Sequence, residues 1–368
     1  MFVEHDRHNM GEASMHGYKS AGLLLSLLVF LGLAVSPAAS AAPATRTVVD
    51  AAGRQVEIPA EVKRVLAAGP PASVLLYTLA PDKLLGWTRE LKPDERAFMP
   101  ARYADLPVLG RLTGKGNTAN IESVLAMKPD LILDVGSIDP TYVSLADRVQ
   151  QQTGIPYLLL DGSFAATAAT YRQAGELLGD PDRGAQLADY AEQTLGNLQR
   201  MLAAIPGEQR PRVYYGRGPE GLETGLGGSI NVEVLEAVGA VNVAAAAGKG
   251  SLATVSLEQV LGWDPQVILT LDAGFYRDVL GDSRWQGVAA IRDRRVFLAP
   301  SLPFGWFDSP PGVNRLIGVR WLEAVLYPQA FPEDLRVVTR DFYRRFYHVT
   351  LDDGQLDQLL DPATKPPS

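Results

Sequence analysis

The sequence predicts an α/β fold of two Rossmann-like lobes, each with a mainly parallel sheet, joined by a long helical connection. Three observations support this prediction: an internal repeat at a spacing of 136 residues, an alternation of short apolar strands with helices, and a long Ala- and Leu-rich stretch near the middle of the chain. Alternating strands and helices are typical of parallel sheets, because each crossover needs a helix. One repeat of this length indicates a duplicated domain rather than a solenoid.

The repeat pairs residues 120–134 with residues 256–270. In both copies a residue that can cap a helix is followed two positions later by a glutamate, Glu122 in the first copy and Glu258 in the second. Apolar residues at helical spacing follow, then a proline that ends the helix and an apolar run typical of a buried strand. Each copy therefore predicts a helix, a tight turn and a strand.

The other elements follow from local patterns in chain order. Residues 47–58 predict a β-hairpin that turns at Gly53. In the first lobe we expect strands at 64–68, 84–87 and 154–160, and helices at 73–79, where Ser73 is the cap, and at 142–152. In the second lobe we expect strands at 211–215 and 294–298, helices at 231–238, 313–326 and 333–346, and a frayed C-terminal end.

The middle stretch, residues 163–205, predicts a helix to Leu178 and a longer helix from Arg183, interrupted only by a Gly-Asp-Pro-Asp sequence. The predicted organisation is an N-terminal lobe at 43–162, a helical connection at 163–206 and a C-terminal lobe at 207–368.

The N-terminal residues have the pattern of a secretory signal. A basic residue, Lys19, precedes an apolar run of about 15 residues, which is short for a membrane-spanning helix of about 20. Small residues follow, so we expect cleavage near Ala41 or Ala42 and a signal peptide at residues 1–42.

The chain contains no cysteine, which excludes disulfides, thiol chemistry and the lipobox of a bacterial lipoprotein, and favours a free periplasmic protein. The net charge of −8 makes it a poor nucleic-acid binder. The mature chain has one histidine, His348, expected at the surface, so we predict no transition-metal site.

Catalytic signatures are absent from the sequence. It has no cysteine nucleophile and no Gly-x-Ser-x-Gly elbow, and His348 alone is a poor candidate for a general base. Residues 216–221 match Gly-x-Gly-x-x-Gly, but Pro219 and later glycines delay the helix that a phosphate site needs. We therefore predict no enzymatic activity, no catalytic residues and no cofactor.

Four segments in this order resemble the iron-complex and cobalamin (class III) family of ABC-transporter substrate-binding proteins. They are Asp50-Ala-Ala-Gly-Arg54, Lys63-Arg-Val65, Asn120-Ile-Glu with Lys-Pro-Asp-Leu-Ile132, and Ser256-Leu-Glu-Gln-Val-Leu261. The resemblance covers essentially the whole mature chain. It implies a monomeric periplasmic receptor that hands a small molecule to a two-subunit permease, with Glu122 and Glu258 docking on the two subunits.

The ligand is expected between the lobes, in loops at the carboxyl ends of the strands. Candidate loops are 69–73, 87–89, 110–117, 136–139, 215–229, 246–252, 272–277 and 301–309. Four basic residues fall in these loops beside glycines and suit an anionic ligand: Arg111, Lys115, Arg217 and Lys249. Gly-Lys-Gly is also a common solvated turn, so a purely structural role for them stays open.

Three aromatic residues, Trp87, Tyr215 and Trp306, are candidates to pack on a large chelate, with a place in the lobe cores as the alternative. The family's cobalamin-binding members carry a tryptophan in the loop before the first repeat, whereas residues 111–116 contain no aromatic side chain. The resemblance thus implies a metal chelate, foremost a ferric siderophore-type complex. A molybdate or tungstate oxyanion is the alternative, and heme or cobalamin a distant one.

Overall fold

The computed structural model describes residues 44–114, 116 and 118–367. The predicted signal peptide and Lys115 lie outside these residues. The described residues belong to one compact unit. Within them, no helix has both the length and the hydropathy that crossing a membrane requires.

Two parallel sheets form the centre of the fold. The strands among the described residues are β1 (Thr45–Val49), β2 (Gln55–Pro59), β3 (Val65–Ala67), β4 (Leu131–Gly136), β5 (Tyr157–Asp161), β6 (Arg212–Gly216), β7 (Glu223–Gly225), β8 (Val241–Asn242), β9 (Leu252–Thr254), β10 (Val267–Thr270) and β11 (Val296–Leu298). One sheet has the order β3-β4-β5 and the other β11-β10-β6-β8. The pairs β1-β2 and β7-β9 are antiparallel. The predicted α/β class with parallel sheets is confirmed.

Helices cover the sheets and connect them. They are α1 (Pro70–Leu79), α2 (Pro93–Arg96), α3 (Ala101–Ala104), α4 (Ile121–Met127), α5 (Pro140–Thr153), α6 (Thr167–Leu178), α7 (Pro181–Ala203), α8 (Glu233–Ala237), α9 (Leu257–Trp263), α10 (Ala273–Asp278), α11 (Ala289–Arg292), α12 (Arg315–Leu326), α13 (Leu335–Phe346) and α14 (Asp353–Thr364). Single 3-10 turns occur at Pro81–Lys83, Gly207–Gln209, Val243–Ala247 and Ser283–Trp285.

The two copies of the repeat share their backbone conformation as well as their sequence. Asn120 and Ser256 each begin their helix, α4 or α9, with a reciprocal capping box. Lys128 and Asp264 end these helices in the left-handed conformation, with φ of +48° and +43°, which is uncommon for residues other than glycine. A proline then leads into a buried central strand, β4 or β10. The predicted helix, turn and strand are confirmed in both copies.

The middle stretch forms two helices, α6 and α7, that pack closely. A Cβ atom on Gly184 of α7 would lie 2.8 Å from the Cα of Gly175 in α6, so the two glycines allow the helices to touch. Helix α7 has 23 residues, or about 35 Å at 1.5 Å per residue. Two helices with a break after Leu178 match the prediction, while the lobe boundaries at 162 and 206 stay a prediction.

The segment 299–313 after β11, which contains the candidate ligand loop 301–309, buries its residues from 303 to 308. The ring of Phe304 lies 5.9 Å from that of Tyr77 in α1 and 5.8 Å from that of Trp87. Trp306 is fully buried. These rings belong to one apolar core that includes residues of both sheets.

Two predicted element positions in the first half are wrong. Residues 84–87 form isolated bridges rather than a strand, with Leu84 beside Val65. Helix α1 begins at Pro70 rather than after Ser73, with Gly69 as its N-cap. Proline suits the first positions of a helix, because its missing N–H would have no partner there.

The C-terminal residues form a helix, which corrects the expectation of a frayed end. Helix α14 starts with a capping box at Asp352. Trp321 donates a hydrogen bond of 2.8 Å from its indole to the carbonyl of Ala363. The apolar residues of the helix are buried: Leu356, Leu359, Leu360 and Ala363. Their helical spacing is the signal that predicts this element.

Helix α12 is buried on nearly every side and carries charged side chains inside the protein. Arg320 pairs with Glu323 and Glu333. The side chain of Glu323 is only 2% exposed. Burial raises the pKa of Glu323 to about 7, although the neighbouring Arg320 opposes the shift.

We predict that Glu323→Gln gains stability relative to the native protein as the pH rises from about 5 to about 8. A carboxyl with a raised folded-state pKa binds more protons when folded, so its stabilising contribution is complete below the unfolded value of 4.5 and is lost as the pH rises through about 7. Glutamine does not titrate. The difference between the two free energies of unfolding should therefore move by about 1–3 kcal/mol in favour of the variant. Urea unfolding at both pH values measures this, and an unchanged difference contradicts it.

Candidate functional site

A cleft with a volume of about 630 Å³ lies where loops from both halves of the chain meet. The first half contributes residues 136–139, 161 and 163, and the second contributes residues 228–230, 233, 250 and 251. The first group consists of the last residues of β4 and β5 and of the residues just after them. The carboxyl ends of parallel strands are where α/β proteins generally bind ligands, so this cleft is the candidate ligand site.

The wall from the first half consists of strand ends and helix caps. Asp139 accepts a hydrogen bond of 2.9 Å from the amide two residues later and so caps α5. Asp161 accepts one of 2.8 Å from the amide two residues later in the turn after β5. Gly162 touches the neighbouring strand end, because a Cβ atom there would lie 2.5 Å from the Cα of Gly136. Both carboxylates on this wall therefore stabilise the loops that carry them.

The wall from the second half consists of two crossing glycine-rich loops. Gly227 forms a backbone bridge with Lys249. The residues on either side of this lysine, Gly248 and Gly250, have φ of +132° and +142°, a region that favours glycine. The lysine side chain is exposed and makes no ion pair with any described residue. Among the predicted basic residues that the structure describes, Lys249 lies next to the cleft lining, which includes Gly250 and Ser251.

The acidic residue of the second wall is Glu233, which is the first residue of α8. Its carboxylate pairs with Arg315 at 2.6 Å. The Arg315 side chain is only 1% exposed and lies beneath the lining. The cleft therefore exposes three carboxylates, while the nearest guanidinium is buried and neutralised.

Two of the other predicted basic residues, Arg111 and Arg217, are not part of the cleft lining. Arg111 is half-buried, and its Nε donates a hydrogen bond of 3.0 Å to the carbonyl of Gly116 in its own loop. Arg217 pairs with Glu223 at 3.2 Å and also contacts Asp308. Its charge is thus already balanced by two carboxylates. Lys115 lies outside the described residues. A ligand role for these residues stays a prediction.

The three predicted aromatic residues are buried. Trp87 donates its indole hydrogen bond to the carbonyl of Tyr103 at 2.8 Å. The ring of Tyr215 packs 4.3 Å from that of Phe307. Trp306 donates to the hydroxyl of Tyr343 at 3.2 Å. These positions correspond to the core alternative that the sequence left open.

Sequence reasoning missed part of the lining. The predicted loops 136–139, 215–229 and 246–252 do reach the cleft, but residues 161–163 and 230–233 were not among the candidates. The first of these segments follows a parallel strand, so the rule about strand ends could have found it. The second was taken for the start of a helix, and only its approach to the first half brings it to the cleft.

The described residues contain no group of three or more metal-ligating side chains that could hold a metal ion. His348 corrects an expectation, because it is half-buried rather than at the surface. Its Nε2 lies 2.9 Å from the carbonyl of Tyr77, and its ring packs against the same tyrosine at 5.4 Å. Burial lowers the pKa of this histidine.

A buried charge cluster stands behind the second wall. Asp308 is 2% exposed and accepts hydrogen bonds from Arg217 and, at 2.9 Å, from the side-chain amide of Asn231. Burial raises the pKa of Asp308, against the effect of the guanidinium beside it. The cluster holds the loop that contains Ser229 and Ile230 in place.

We predict that Asp308→Asn destabilises the protein by about 2–4 kcal/mol, because it leaves Arg217 with only the half-exposed Glu223 as a partner. Urea unfolding at neutral pH measures the loss. The control is Asp105→Asn, which breaks an exposed pair with Arg96 and should cost less than about 1 kcal/mol. Equal losses in the two variants would contradict the importance of the buried cluster.

Known proteins with similar sequences and structures bind solutes for import. The family described as periplasmic binding protein matches residues 84–302. The molybdate-binding protein MolA of Haemophilus influenzae is 29% identical over 89% of this chain and 97% of its own length. An ABC transporter solute-binding protein from Sulfurospirillum deleyianum has a TM-score of 0.78 at 28% identity, over 86% of this chain and 99% of that one. MolA bound to molybdate has a TM-score of 0.68 at 26% identity, over 83% and 99%.

These similarities agree with a cleft that holds a small molecule and with the absence of catalytic signatures. The family model covers more than half of the chain, and its members deliver small-molecule ligands to a permease rather than transform them. The chain therefore belongs to the periplasmic binding protein family, as a solute-binding protein of ABC importers of the class that serves iron complexes and cobalamin.

Proposed function

We propose that the protein captures a tetrahedral oxyanion, molybdate or tungstate, in the cleft and delivers it to an ABC importer. The observation that carries this proposal is the similarity to the molybdate-binding MolA over nearly the full length of both chains. A similarity that includes both halves also includes the loops that meet at the cleft.

Neutral hydrogen-bond donors of the cleft support an oxyanion ligand. The lining includes the hydroxyls of Ser137, Ser163 and Ser251. These hydroxyls, and the backbone amides of Ser137 and Ile138, donate no hydrogen bond to any other described residue. Backbone amides and hydroxyls that converge in a concave site can hold an anion without a full opposite charge. Lys249 adds a positive charge beside them.

The carboxylates of the cleft oppose an anion less than their number suggests. Asp139 and Asp161 accept backbone amide hydrogen bonds, and Glu233 is paired with the buried Arg315. Each carboxylate therefore has a structural partner that offsets part of its field. An oxyanion would lie nearer to the serine hydroxyls than to these side chains.

The size and charge of the cleft favour a second candidate, a metal chelate such as a ferric siderophore-type complex. A cleft volume of about 630 Å³ falls in the range of about 300–1,000 Å³ typical of pockets for larger organic ligands. Exposed carboxylates at Asp139 and Asp161 suit a ligand with cationic groups. Against this candidate, the lining contains no aromatic side chain among the residues that the structure describes, and chelates with large apolar surfaces are usually held by aromatic rings.

We predict that calorimetry will detect binding of sodium molybdate and sodium tungstate, and not of ferric hydroxamate or ferric catecholate complexes. Lys249→Gln should weaken molybdate binding by about two- to fivefold, as loss of an exposed charge predicts. Lys128→Gln is the matched control, because this exposed lysine lies at the opposite end of β4 from the cleft. Elemental analysis of protein purified from its native periplasm should find molybdenum or tungsten. Bound iron with an organic mass would instead establish the second candidate.

The repeat supports a docking role for Glu122 and Glu258 on the two permease subunits. Both side chains are exposed, and both occupy the second position of helices that begin with the same capping box. Hydrogen bonds from its own backbone amide and from the Ser256 hydroxyl lower the pKa of Glu258. The two halves thus present equivalent carboxylates.

Reversal of both charges tests this docking role. Glu122→Lys with Glu258→Lys should abolish stimulation of the importer's ATPase in reconstituted vesicles, because truncation of one partner in an interfacial charge pair can cost about 2–5 kcal/mol. Ligand affinity should not change. The control is Glu61→Lys with Glu208→Lys, which makes the same charge change at exposed residues outside the repeat. Full stimulation by the first variant would exclude the docking role, as would a loss of ligand binding that matches the loss of transport.

A further inference from the structure

Arg315 is a buried side chain that touches both walls of the cleft. Its Nη2 donates a hydrogen bond of 2.8 Å to the carbonyl of Gly162, between the lining residues 161 and 163 of the first wall. Its Nη1 donates to the carboxylate of Glu233 at 2.6 Å and to the carbonyl of Ile230 at 3.4 Å, both in the second wall. Its Nε donates to the carbonyl of Gly312 at 3.0 Å. One guanidinium therefore ties three separate segments together.

The same ion pair is reinforced from the first wall. The backbone amide of Phe164 donates a hydrogen bond of 3.2 Å to the carboxylate oxygen of Glu233 that Arg315 also contacts. The phenyl ring of Phe164 lies 5.2 Å from the guanidinium carbon. The first wall thus contacts both members of the Arg315–Glu233 ion pair, and the two walls cannot move apart without breaking charge-assisted hydrogen bonds.

The burial of Arg315 makes these contacts costly to lose. The side chain is 1% exposed, whereas that of Glu233 is 30% exposed on the cleft side. Without the guanidinium, the carbonyl groups of Gly162, Ile230 and Gly312, which are buried or partly buried, would each lose a partner. Lysine keeps the positive charge, but its single ammonium group lacks the planar set of N–H donors of a guanidinium. It therefore cannot bond the acceptors that Arg315 contacts in three directions.

We propose that Arg315 is the positioning residue of the ligand cleft, because it fixes the separation of the two walls and thereby determines which ligands fit. This inference rests on the proposed function only in taking the cleft as the ligand site. The separation itself is a property of the protein without ligand. A preformed cleft does not need to become ordered when the ligand binds, so binding costs less free energy. Loss of the contacts that Arg315 makes with both walls should therefore lower the affinity.

The chain offers a matched control in the same helix. Arg320 is also buried and paired with carboxylates, but its partners Glu323 and Glu333 belong to the same half, and neither lines the cleft. Arg315→Lys and Arg320→Lys therefore remove similar buried guanidinium groups. They differ in whether that group joins the two walls.

The first measurement is the distance between the two halves without ligand. The native chain contains no cysteine, so spin labels can be placed at Gln151→Cys in α5 and Asp278→Cys in α10, both exposed and outside the cleft lining. Double electron–electron resonance should give one narrow distance in the native background and with Arg320→Lys, and a broader or longer distribution with Arg315→Lys. Coincident distributions for Arg315→Lys and the native background would overturn the proposal.

The second measurement is affinity for sodium molybdate by calorimetry. Arg315→Lys should bind at least about tenfold more weakly, while Arg320→Lys should differ from native by less than about twofold, even if both variants melt at lower temperature. Equal affinity losses would reduce Arg315 to a structural role and overturn the proposal.

If Arg315→Lys does not fold, Glu233→Gln removes the same tie from the other side and should broaden the distance distribution. If molybdate does not bind the native protein, the proposed function fails, while the distance measurement still decides the role of Arg315.

Discussion

The two halves of this protein are held together by one continuous apolar core, and the position of the cleft depends on it. The segment 299–313 leaves β11 and buries its aromatic rings at the junction, where Phe304 packs against Tyr77 and Trp87 of the first half. Helix α13 packs against α1 on the same side. Because protein cores are close-packed, such a junction resists wide opening of the halves, while the tie made by Arg315 acts on the smaller movements that set the spacing of the cleft walls. The connecting helices α6 and α7, in contact through glycines, add further stiffness.

The polar cleft is the surface that this core leaves uncovered between the halves. Behind its second wall, acidic and basic side chains alternate. Arg217 lies between Glu223 and Asp308, and Arg315 is paired with Glu233. Both arginines are therefore bonded to carboxylates of the protein rather than presented to a ligand. Buried charges need such partners, since an unpaired ion in the interior is far more costly than a bonded one. A ligand in this cleft would therefore meet mostly hydroxyls, amides and carboxylates, and its selection would depend on geometry more than on a strong field of one sign.

The sequence was sufficient to predict those elements whose structure is determined by neighbouring residues in the chain. In both copies of the repeat the capping residue, the helical spacing and the proline determine a helix, a turn and a strand without help from distant residues. The sequence was insufficient to predict contacts between residues that lie far apart in the chain. Arg217 meets Asp308, 91 residues away, and Trp87 reaches Phe304 only after the halves pack. A basic residue in a glycine-rich loop has the same local pattern whether it faces a ligand or a buried carboxylate, so the ligand role assigned to Arg217 could not be tested from sequence.

The repeat also suggests how docking and the cleft can communicate in a protein whose halves are firmly joined. If the permease binds at Glu122, it binds helix α4. This helix is connected to β4 by one left-handed residue and a proline, and the far end of β4, at Gly136, borders the cleft. Strand β4 lies between β3 and β5, so a displacement along it acts on Gly162 and on the carbonyl that Arg315 holds. Release would then need only a small shift of the first wall against this guanidinium, because a charge-assisted bond weakens steeply with distance and angle. A receptor of this construction can release its ligand without a wide opening of the two halves.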